Sequence, residues 1–270
     1  MSTLPRELFA GLIDDAAMFP PGNASAGQAV AEHARYRKAW FADLVGPLLV
    51  PACAWEDFRR AHAATGGRPV SVVLIGTTTL PSIPPGVRVA GFEVPVPDLP
   101  LPVTGPGLSL AAEVSPGPFG DRVLAAVAER AAAGRPVVGK FRTGGTTPAA
   151  FPSEDVLAGV ITSATAAKAP LKLTAGLHHA VRFTDDASGF EHHGFLNVLA
   201  AVSQALADPD PEKVANVLAL REGAELAERL RRLSLDQIRL VRQRCVSFGC
   251  CGVEDPIADL VALGVVQSVE

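Results

Sequence analysis

The chain has 270 residues, of which 48% are hydrophobic, and a formal net charge of −4 at pH 7. This length and apolar content predict one domain over residues 1–270 with a large buried core, and the acidic balance without a basic stripe argues against nucleic acid as a partner. An N-terminus without a charged leader, and no apolar run of about 20 residues, lead us to expect a cytoplasmic protein with no membrane partner.

Eight short apolar runs predict buried β-strands. Most are near-continuous Val, Leu, Ile and Ala, which is typical of parallel strands covered on both faces. Eight is also the strand number of a (β/α)8 barrel. In chain order the predicted strands are 9–14, 47–52, 70–76, 87–94, 108–114, 136–142, 170–175 and 245–249.

Helical patterns alternate with several of these strands. Ser153 is a candidate N-cap for one of them. The alternation predicts an α/β fold, a TIM-like (β/α)8 barrel with a helical insertion at residues 195–244 between strands seven and eight. The predicted helices are 26–44, 55–64, 119–133, 153–167, 195–207, 211–220, 224–233, 235–244 and 256–263.

Two connections are too rich in proline to form helices: TTTLPSIPPGVR between strands three and four, and PVPDLPLPVTGPG between strands four and five. About a dozen residues is near the minimum for a parallel crossover. We therefore expect a barrel that lacks the outer helices after strands three and four. A mixed three-layer sheet is the alternative.

Polar and charged side chains recur at the carboxyl ends of the predicted strands, where barrel enzymes place their active sites. Each one alone has a structural interpretation as a salt bridge at the barrel mouth, but their recurrence at one end favours a site. Residues two apart on a strand share a face, so we expect one cavity to be lined by Glu93, Glu113, Lys140, Arg142 and Lys172. The candidates are Asp14 and Asp15 after strand one, Glu93 on strand four, Glu113 on strand five, Lys140 and Arg142 on strand six, and Lys172 and Thr174 on strand seven.

Lysine usage draws attention to two of these positions. The chain has five lysines against nineteen arginines, yet Lys140 and Lys172 lie in apolar strands, where burying an ammonium is costly. Unlike arginine, lysine can lose its proton and act as a base or a Schiff-base amine. The alternative is that both lysines only bind an anion or pair with Glu93 and Glu113.

The segments GKFRTGG and LKLTAGLHH, which contain these two lysines, resemble the strand-six and strand-seven segments of Schiff-base barrels of the deoxyribose-phosphate aldolase type. The resemblance implies that Lys140 forms an imine with a carbonyl substrate and that Lys172 favours its reactive, deprotonated form. Arg142 departs from the small residues that follow the imine lysine in that family, and the double histidine is foreign to it. The whole chain also resembles hypothetical proteins of high-GC bacteria, and this second resemblance points to no particular activity.

The stretch from 171 to 197 holds four of the six histidines. The loop 176–197 within it is longer than the usual βα connection, so we expect this loop to be ordered against the barrel mouth and to contribute at least one histidine to the site. A solvated, mobile loop is the alternative. Neighbouring residues of an extended chain point opposite ways, so one member of each pair should face the site. The candidates are His179 as a catalytic group and His178, His192 and Asn197 as substrate-binding groups, with His193 the remaining histidine.

One histidine from each pair, together with carboxylates, also suggests a divalent-metal site. The candidate ligands are Asp14, Glu113, His179 and His192. No His-x-x-x-His spacing or Cys/His finger pattern is present, so we predict no cofactor and keep a divalent metal as an alternative.

Glycine-rich turns suggest where an anion would bind. Thr143, Gly144 and Gly145 follow strand six and leave backbone N–H groups free, with Arg142 beside them for a carboxylate or a phosphate. The loop AMFPPGNA after strand one is placed to act as a lid.

Together these features predict an enzyme of small-molecule metabolism that acts next to a carbonyl on a small anionic substrate, as a lyase, aldolase or isomerase. Lys140 would be the amine, Lys172 its partner, and Glu93, Glu113 or a histidine the proton shuttle. A divalent-metal-dependent hydrolase or isomerase and a non-catalytic small-anion binding protein are the alternatives. A homo-oligomer is compatible with the sequence, and Cys250 and Cys251 are expected to be structural.

Overall fold

The computed structural model describes residues 3–268. Eight parallel strands form a closed barrel. These strands are β1 (Ile13–Asp15), β2 (Val45–Pro51), β3 (Val70–Ile75), β4 (Val87–Val94), β5 (Ser109–Glu113), β6 (Val137–Arg142), β7 (Leu171–Thr174) and β10 (Cys245–Cys250). Their order around the barrel is β1-β10-β7-β6-β5-β4-β3-β2.

Helices follow most of the strands and a short hairpin follows one. The helices are α1 (Ala26–Tyr36), α2 (Trp55–Ala64), α3 (Pro118–Ala132), α4 (Glu154–Ala167), α5 (Phe195–Ala207), α6 (Pro211–Leu218), α7 (Gly223–Arg231), α8 (Leu235–Arg244) and α9 (Glu254–Ala262). The antiparallel hairpin consists of β8 (Phe183–Thr184) and β9 (Glu191–His192). No helix in residues 3–268 is long and apolar enough to cross a membrane.

The predicted barrel is confirmed, including its two missing helices. The chain between β3 and β4, and between β4 and β5, contains no helix. Proline-rich extended chain covers part of the outer face instead, with Val96 and Leu101 buried against β4 and β5 side chains such as Val94 and Leu110. On the neighbouring strands, the outer face packs against α1 and α2 in the usual way, as in the contact of Leu48 and Val72 with Trp55 and Phe58. The alternative of a mixed sheet is wrong.

Two predicted elements have wrong bounds. Predicted strand one began at residue 9, but Gly11 takes a positive φ of 58° and turns the chain, so β1 starts only at Ile13. Predicted helix 26–44 ends at Tyr36, because the Arg37 side chain donates to the carbonyl oxygens of Ala42 and Val45 and stabilises a series of turns. The other bounds agree with prediction to within two residues.

Side-chain caps define several helix starts. Ser153 is the N-cap of α4, as predicted, and its hydroxyl oxygen accepts a hydrogen bond from the Val156 N–H at 3.3 Å. This helix begins in the loop that follows β6, and it ends at Lys168, which takes a left-handed conformation. The cap fixes where the loop between β6 and α4 ends, and that loop contributes residues to the barrel mouth.

Candidate active site

Four charged or polar residues form one row across neighbouring strands. Glu113 on β5 pairs in register with Lys140 on β6, Lys140 with Lys172 on β7, and Lys172 with Ser247 on β10. Paired residues of neighbouring parallel strands point to the same face of the sheet. The two lysines therefore lie side by side inside the barrel, where ion pairs with carboxylates from other strands balance their charge.

Lys172 lies beneath the barrel mouth and is held by two carboxylates. Its side chain is almost fully buried, and Nζ donates a hydrogen bond to Asp14 Oδ2 at 2.6 Å and another to Glu93 Oε1. The Ser247 hydroxyl donates to the same Asp14 oxygen at 2.9 Å. Three strands that are distant in sequence are thus joined by one ammonium group.

The protonation of Lys172 follows from this arrangement. Burial acts to lower its pKa, but the charges of Asp14 and Glu93 and their hydrogen bonds outweigh burial, so the net pKa is raised above its ordinary value. Asp14 differs, because burial raises its pKa and Lys172 only partly opposes this. We assign Lys172 as an ammonium, because Glu93 is a second carboxylate partner whichever proton state Asp14 takes.

Lys140 lies closer to the cavity. Its Nζ is 2.9 Å from Glu113 Oε2 and 3.7 Å from Glu93 Oε2. Glu93 therefore touches both lysines, one with each carboxylate oxygen. Lys140 and Glu93 line the large cavity at the barrel mouth, whereas Lys172 does not. The two lysines that looked equivalent in the sequence thus have different access to a ligand.

The cavity occupies about 1000 Å³ at the carboxyl ends of the strands. Its floor contains Glu93, Lys140 and Arg142, and Thr174 and Gly145 also line it, as predicted. Arg142 is exposed to the cavity and, among residues 3–268, has no hydrogen-bond or ion-pair partner. The floor therefore offers one paired cation, one free cation and one carboxylate to a ligand.

The long segment after β7 covers this cavity, as predicted. His178 and His179 both line it, so the expectation that only one member of this pair faces the site is wrong. Of the second pair only His192, on strand β9 of the hairpin, lines the cavity. His192 is oriented by a 3.2 Å contact between Nδ1 and the Gly176 carbonyl oxygen, and His179 by a 3.1 Å contact between Nδ1 and Asp259 Oδ2. Burial and the neighbouring His192 lower the pKa of His178, which favours a neutral imidazole.

His193 faces away from the cavity. Its Nε2 lies 2.9 Å from the Pro152 carbonyl oxygen, and its Nδ1 lies 3.4 Å from the Arg182 guanidinium. Burial lowers its pKa. This residue ties the hairpin to the loop before α4.

Several residues predicted to bind substrate do not line the cavity. Asp14 lies below the floor, bonded to Lys172. Asp15 points to the outer side of the barrel, where its Oδ2 is 3.0 Å from Nδ1 of the buried His33 on α1, because adjacent residues of a strand point to opposite faces. Two catalytic candidates that were expected to line the cavity also do not: Glu113 contacts Lys140 from outside the cavity wall, and Lys172 lies behind it.

Three further predicted binding residues have structural roles. Thr143 is buried and donates its hydroxyl to the Ala175 carbonyl oxygen. Gly144 packs on Gly176, where an added Cβ would lie 2.9 Å from the Gly176 Cα. Asn197 is buried in α5 and donates to the Leu220 carbonyl oxygen at 2.7 Å. These residues hold loops and helices behind the mouth.

The four candidate metal ligands do not form one cluster. Asp14 is bonded to Lys172, Glu113 to Lys140 and His179 to Asp259. No group of three or more His, Cys, Asp or Glu side chains within residues 3–268 is arranged to hold a metal ion. The described side chains therefore do not fit the divalent-metal set that the sequence suggested.

His178 makes one contact that no sequence pattern indicated, with the thiols of the adjacent Cys250 and Cys251. Its Nδ1 lies 3.7 Å from Sγ of both Cys250 and Cys251. Burial raises the pKa of each thiol, and the pKa of His178 is lowered. The two cysteines are therefore thiols beside a neutral imidazole, rather than thiolates beside an imidazolium. The conformation of the loop after β7 creates this contact, so no spacing in the sequence could have predicted it.

The chain matched no protein-family model, no curated protein and no solved structure. Its function therefore has to be inferred from the geometry of the barrel mouth.

Proposed function

We propose that the chain is an enzyme that makes or breaks a bond next to the carbonyl group of a small anionic substrate, as a lyase, aldolase or isomerase. Lys140 is the reacting amine in this proposal. The supporting observation is that two lysines lie side by side in the barrel but only Lys140 reaches the cavity, while Lys172 is fixed behind it by Asp14 and Glu93. Burial and a neighbouring cation are two settings that activate a lysine for Schiff-base chemistry, and Lys140 is buried beside Lys172.

The neighbouring carboxylates can move the protons that this chemistry needs. Lys140 must first lose a proton, and Glu113 at 2.9 Å is the acceptor. The free amine then adds to the carbonyl carbon and gives a carbinolamine. A carboxylic acid returns the proton to the carbinolamine hydroxyl, which leaves as water, and the iminium forms. Electrons from the adjacent C–C or C–H bond flow into the iminium when that bond breaks, which gives an enamine. A carboxylic acid then protonates the enamine carbon and restores the iminium. Water finally hydrolyses the imine and releases Lys140.

The remaining groups of the floor orient the substrate. Arg142 lies two residues from Lys140 on β6, on the same face, and is free to bind a carboxylate or phosphate. Glu93 contacts both lysines and is available for proton transfer at the atom next to the carbonyl. Lys172 keeps Glu93 in place and stays an ammonium.

Borohydride trapping tests this proposal. We would incubate the protein with a panel of carbonyl compounds, reduce it with borohydride, and map the modified peptide by mass spectrometry. We expect a stable adduct on Lys140 and none in Lys140→Met. Lys168→Met, which removes an exposed lysine on α4's C-terminal side, should trap as well as wild type. Adducts on Lys172 or Lys168, or none on any lysine, would contradict the proposal.

A second candidate function is non-catalytic binding of a small anion. The unpaired Arg142 in the cavity favours it, because a free cation beside Lys140 suffices to hold an anion without any reaction. Calorimetric titration with the anionic members of the carbonyl panel separates the two functions. Binding that Arg142→Ala abolishes, without borohydride trapping or turnover, would support the binding protein. Measuring turnover before and after dialysis against a chelator tests the metal-dependent alternative, which predicts that dialysis abolishes turnover.

A further inference from the structure

The cavity is larger than a three-carbon carbonyl compound requires. Its volume of about 1000 Å³ lies at the upper end of the range for drug-sized ligands. Lys140, Arg142 and Glu93 occupy only the floor. The substrate therefore has a part that extends from the floor toward the mouth.

A continuous group of rings forms one wall of this outer part. We call Phe151, Phe183, Phe190 and His192 the aromatic wall. The His192 ring lies at its centre, with centroid distances of 4.6 Å to Phe151 and 4.8 Å to Phe183, and Phe151 lies 5.0 Å from Phe190. All four residues line the cavity and are only partly buried, so part of each ring is open to a ligand. Ring pairs at these distances gain stability beyond that of apolar burial.

The charges of the cavity differ between its two ends. The floor carries the cations Lys140 and Arg142, whereas Asp185 in the hairpin loop and Asp255 at the start of α9 line the part beyond the strands. A ligand with a negative group at each end would place one of them near these aspartates. The cavity therefore suits a single anionic group on the floor and an uncharged group at the wall.

We propose, on the basis of the function proposed above, that the substrate is a monoanionic 2-oxo acid with an aryl side chain. Its carboxylate binds Arg142, its carbonyl carbon faces Lys140, and its ring stacks on the aromatic wall. The wall is a specificity determinant, because it contacts the side chain and not the reacting atoms.

Equilibrium binding of three monoanionic probes tests this assignment. We would titrate the protein with phenylpyruvate, 2-oxooctanoate and pyruvate by calorimetry, and add 2-oxoglutarate as a dianion. Phenylpyruvate should bind at least about tenfold more tightly than pyruvate, with 2-oxooctanoate between them and 2-oxoglutarate weakest. Phe151→Leu and Phe183→Leu should lose most of the preference for phenylpyruvate over pyruvate. Phe119→Leu, a half-buried ring on α3 away from the cavity, is the matched control.

The same titrations in Lys140→Met separate this inference from the chemistry on which it rests. This variant cannot form an imine, so an aryl preference that persists in it supports the wall even if trapping fails. Equal affinities for phenylpyruvate and pyruvate, or tighter binding of 2-oxooctanoate than of phenylpyruvate, would overturn the inference while a Lys140 adduct in wild type kept the proposed function. An unchanged aryl preference in both wall variants would also overturn it.

Discussion

The Lys172 ammonium balances the charge of two buried carboxylates, those of Asp14 and Glu93. Replacing Lys172 with methionine keeps most of the side-chain volume but leaves Asp14 and Glu93 without their shared ammonium. We expect Lys172→Met to lower the free energy of unfolding by about 3–5 kcal/mol, as for other broken buried ion pairs. Urea denaturation measures this. Lys168→Met is the control and should change stability by less than about 0.5 kcal/mol. Similar small losses in both variants would show that the buried charges are not coupled.

The same ammonium makes the free energy of unfolding depend on pH in the alkaline range. The pKa of Lys172 is raised from its ordinary value of 10.5 by its carboxylate partners, so the folded state holds this proton more tightly than the unfolded state. Its contribution is complete below about pH 10.5 and is lost as the pH rises through the raised pKa. The stability difference between wild type and Lys172→Met should be constant from neutral pH to about pH 10 and shrink above it. Urea titrations across this range would contradict the assignment if the difference already declined near pH 8.

The cysteines differ in exposure, which predicts their order of alkylation. Cys53 is exposed, whereas Cys250 and Cys251 lie beside His178 with pKa values raised by burial. Because thiolates are the reactive form, iodoacetamide at neutral pH should modify Cys53 well before the other two. Peptide mass spectrometry over time gives the order. Preferential alkylation of Cys251, slowed by a bound 2-oxo acid, would instead indicate an activated thiol in the cavity.

At the scale of elements, the histidines of the segment between β7 and α5 have two different tasks. His179 and His192 line the cavity, while His193 is buried against Pro152. We expect His192→Ala and His179→Ala to weaken ligand binding with little change in melting temperature. His193→Ala should instead lower stability by about 1–3 kcal/mol, because the buried His193 ring and its hydrogen bond to the half-buried Pro152 carbonyl are lost. Calorimetric titration and thermal unfolding of the three variants distinguish these effects, and a His193 variant that loses only binding would contradict the division.

Strand periodicity predicted the elements of the barrel and the central lysine pair, but not which carboxylates face inward. Lys140 and Lys172 could be placed together because their strands are neighbours in sequence order and both side chains were expected to point into the same cavity. The same rule requires Asp14 and Asp15 to face opposite ways, and only the pairing with Lys172 and His33 shows which one is inside. Contacts made by loops, such as that between His178 and Cys251, depend on turns that carry no periodic pattern.

At the scale of the molecule, the barrel is asymmetric. Helices α5 to α8 and the hairpin all lie between β7 and β10, whereas the chain between β3 and β5 has no helix. The lysines, Arg142 and the histidines come from β6, β7 and the segment after them. The elaborated half of the barrel is therefore the half that bears the candidate site. The simpler half contributes Glu93 and the apolar walls Leu49 and Ile75.

Stability alone does not account for the buried charges of the barrel. A buried ion pair seldom stabilises a fold more than well-packed apolar side chains of similar volume. We therefore expect the triple variant Asp14→Leu, Glu93→Met and Lys172→Met to recover the stability that Lys172→Met alone loses, and to equal or exceed wild type by up to about 4 kcal/mol. Lys140 keeps Glu113 as its partner at 2.9 Å in this variant, so no buried charge is left unpaired. Urea denaturation of wild type, the single variant and the triple variant measures the difference, and turnover by the same samples should fail in the triple variant, because it lacks the proton-transfer group Glu93. A triple variant less stable than Lys172→Met would instead mean that the ionic cluster holds the strands together.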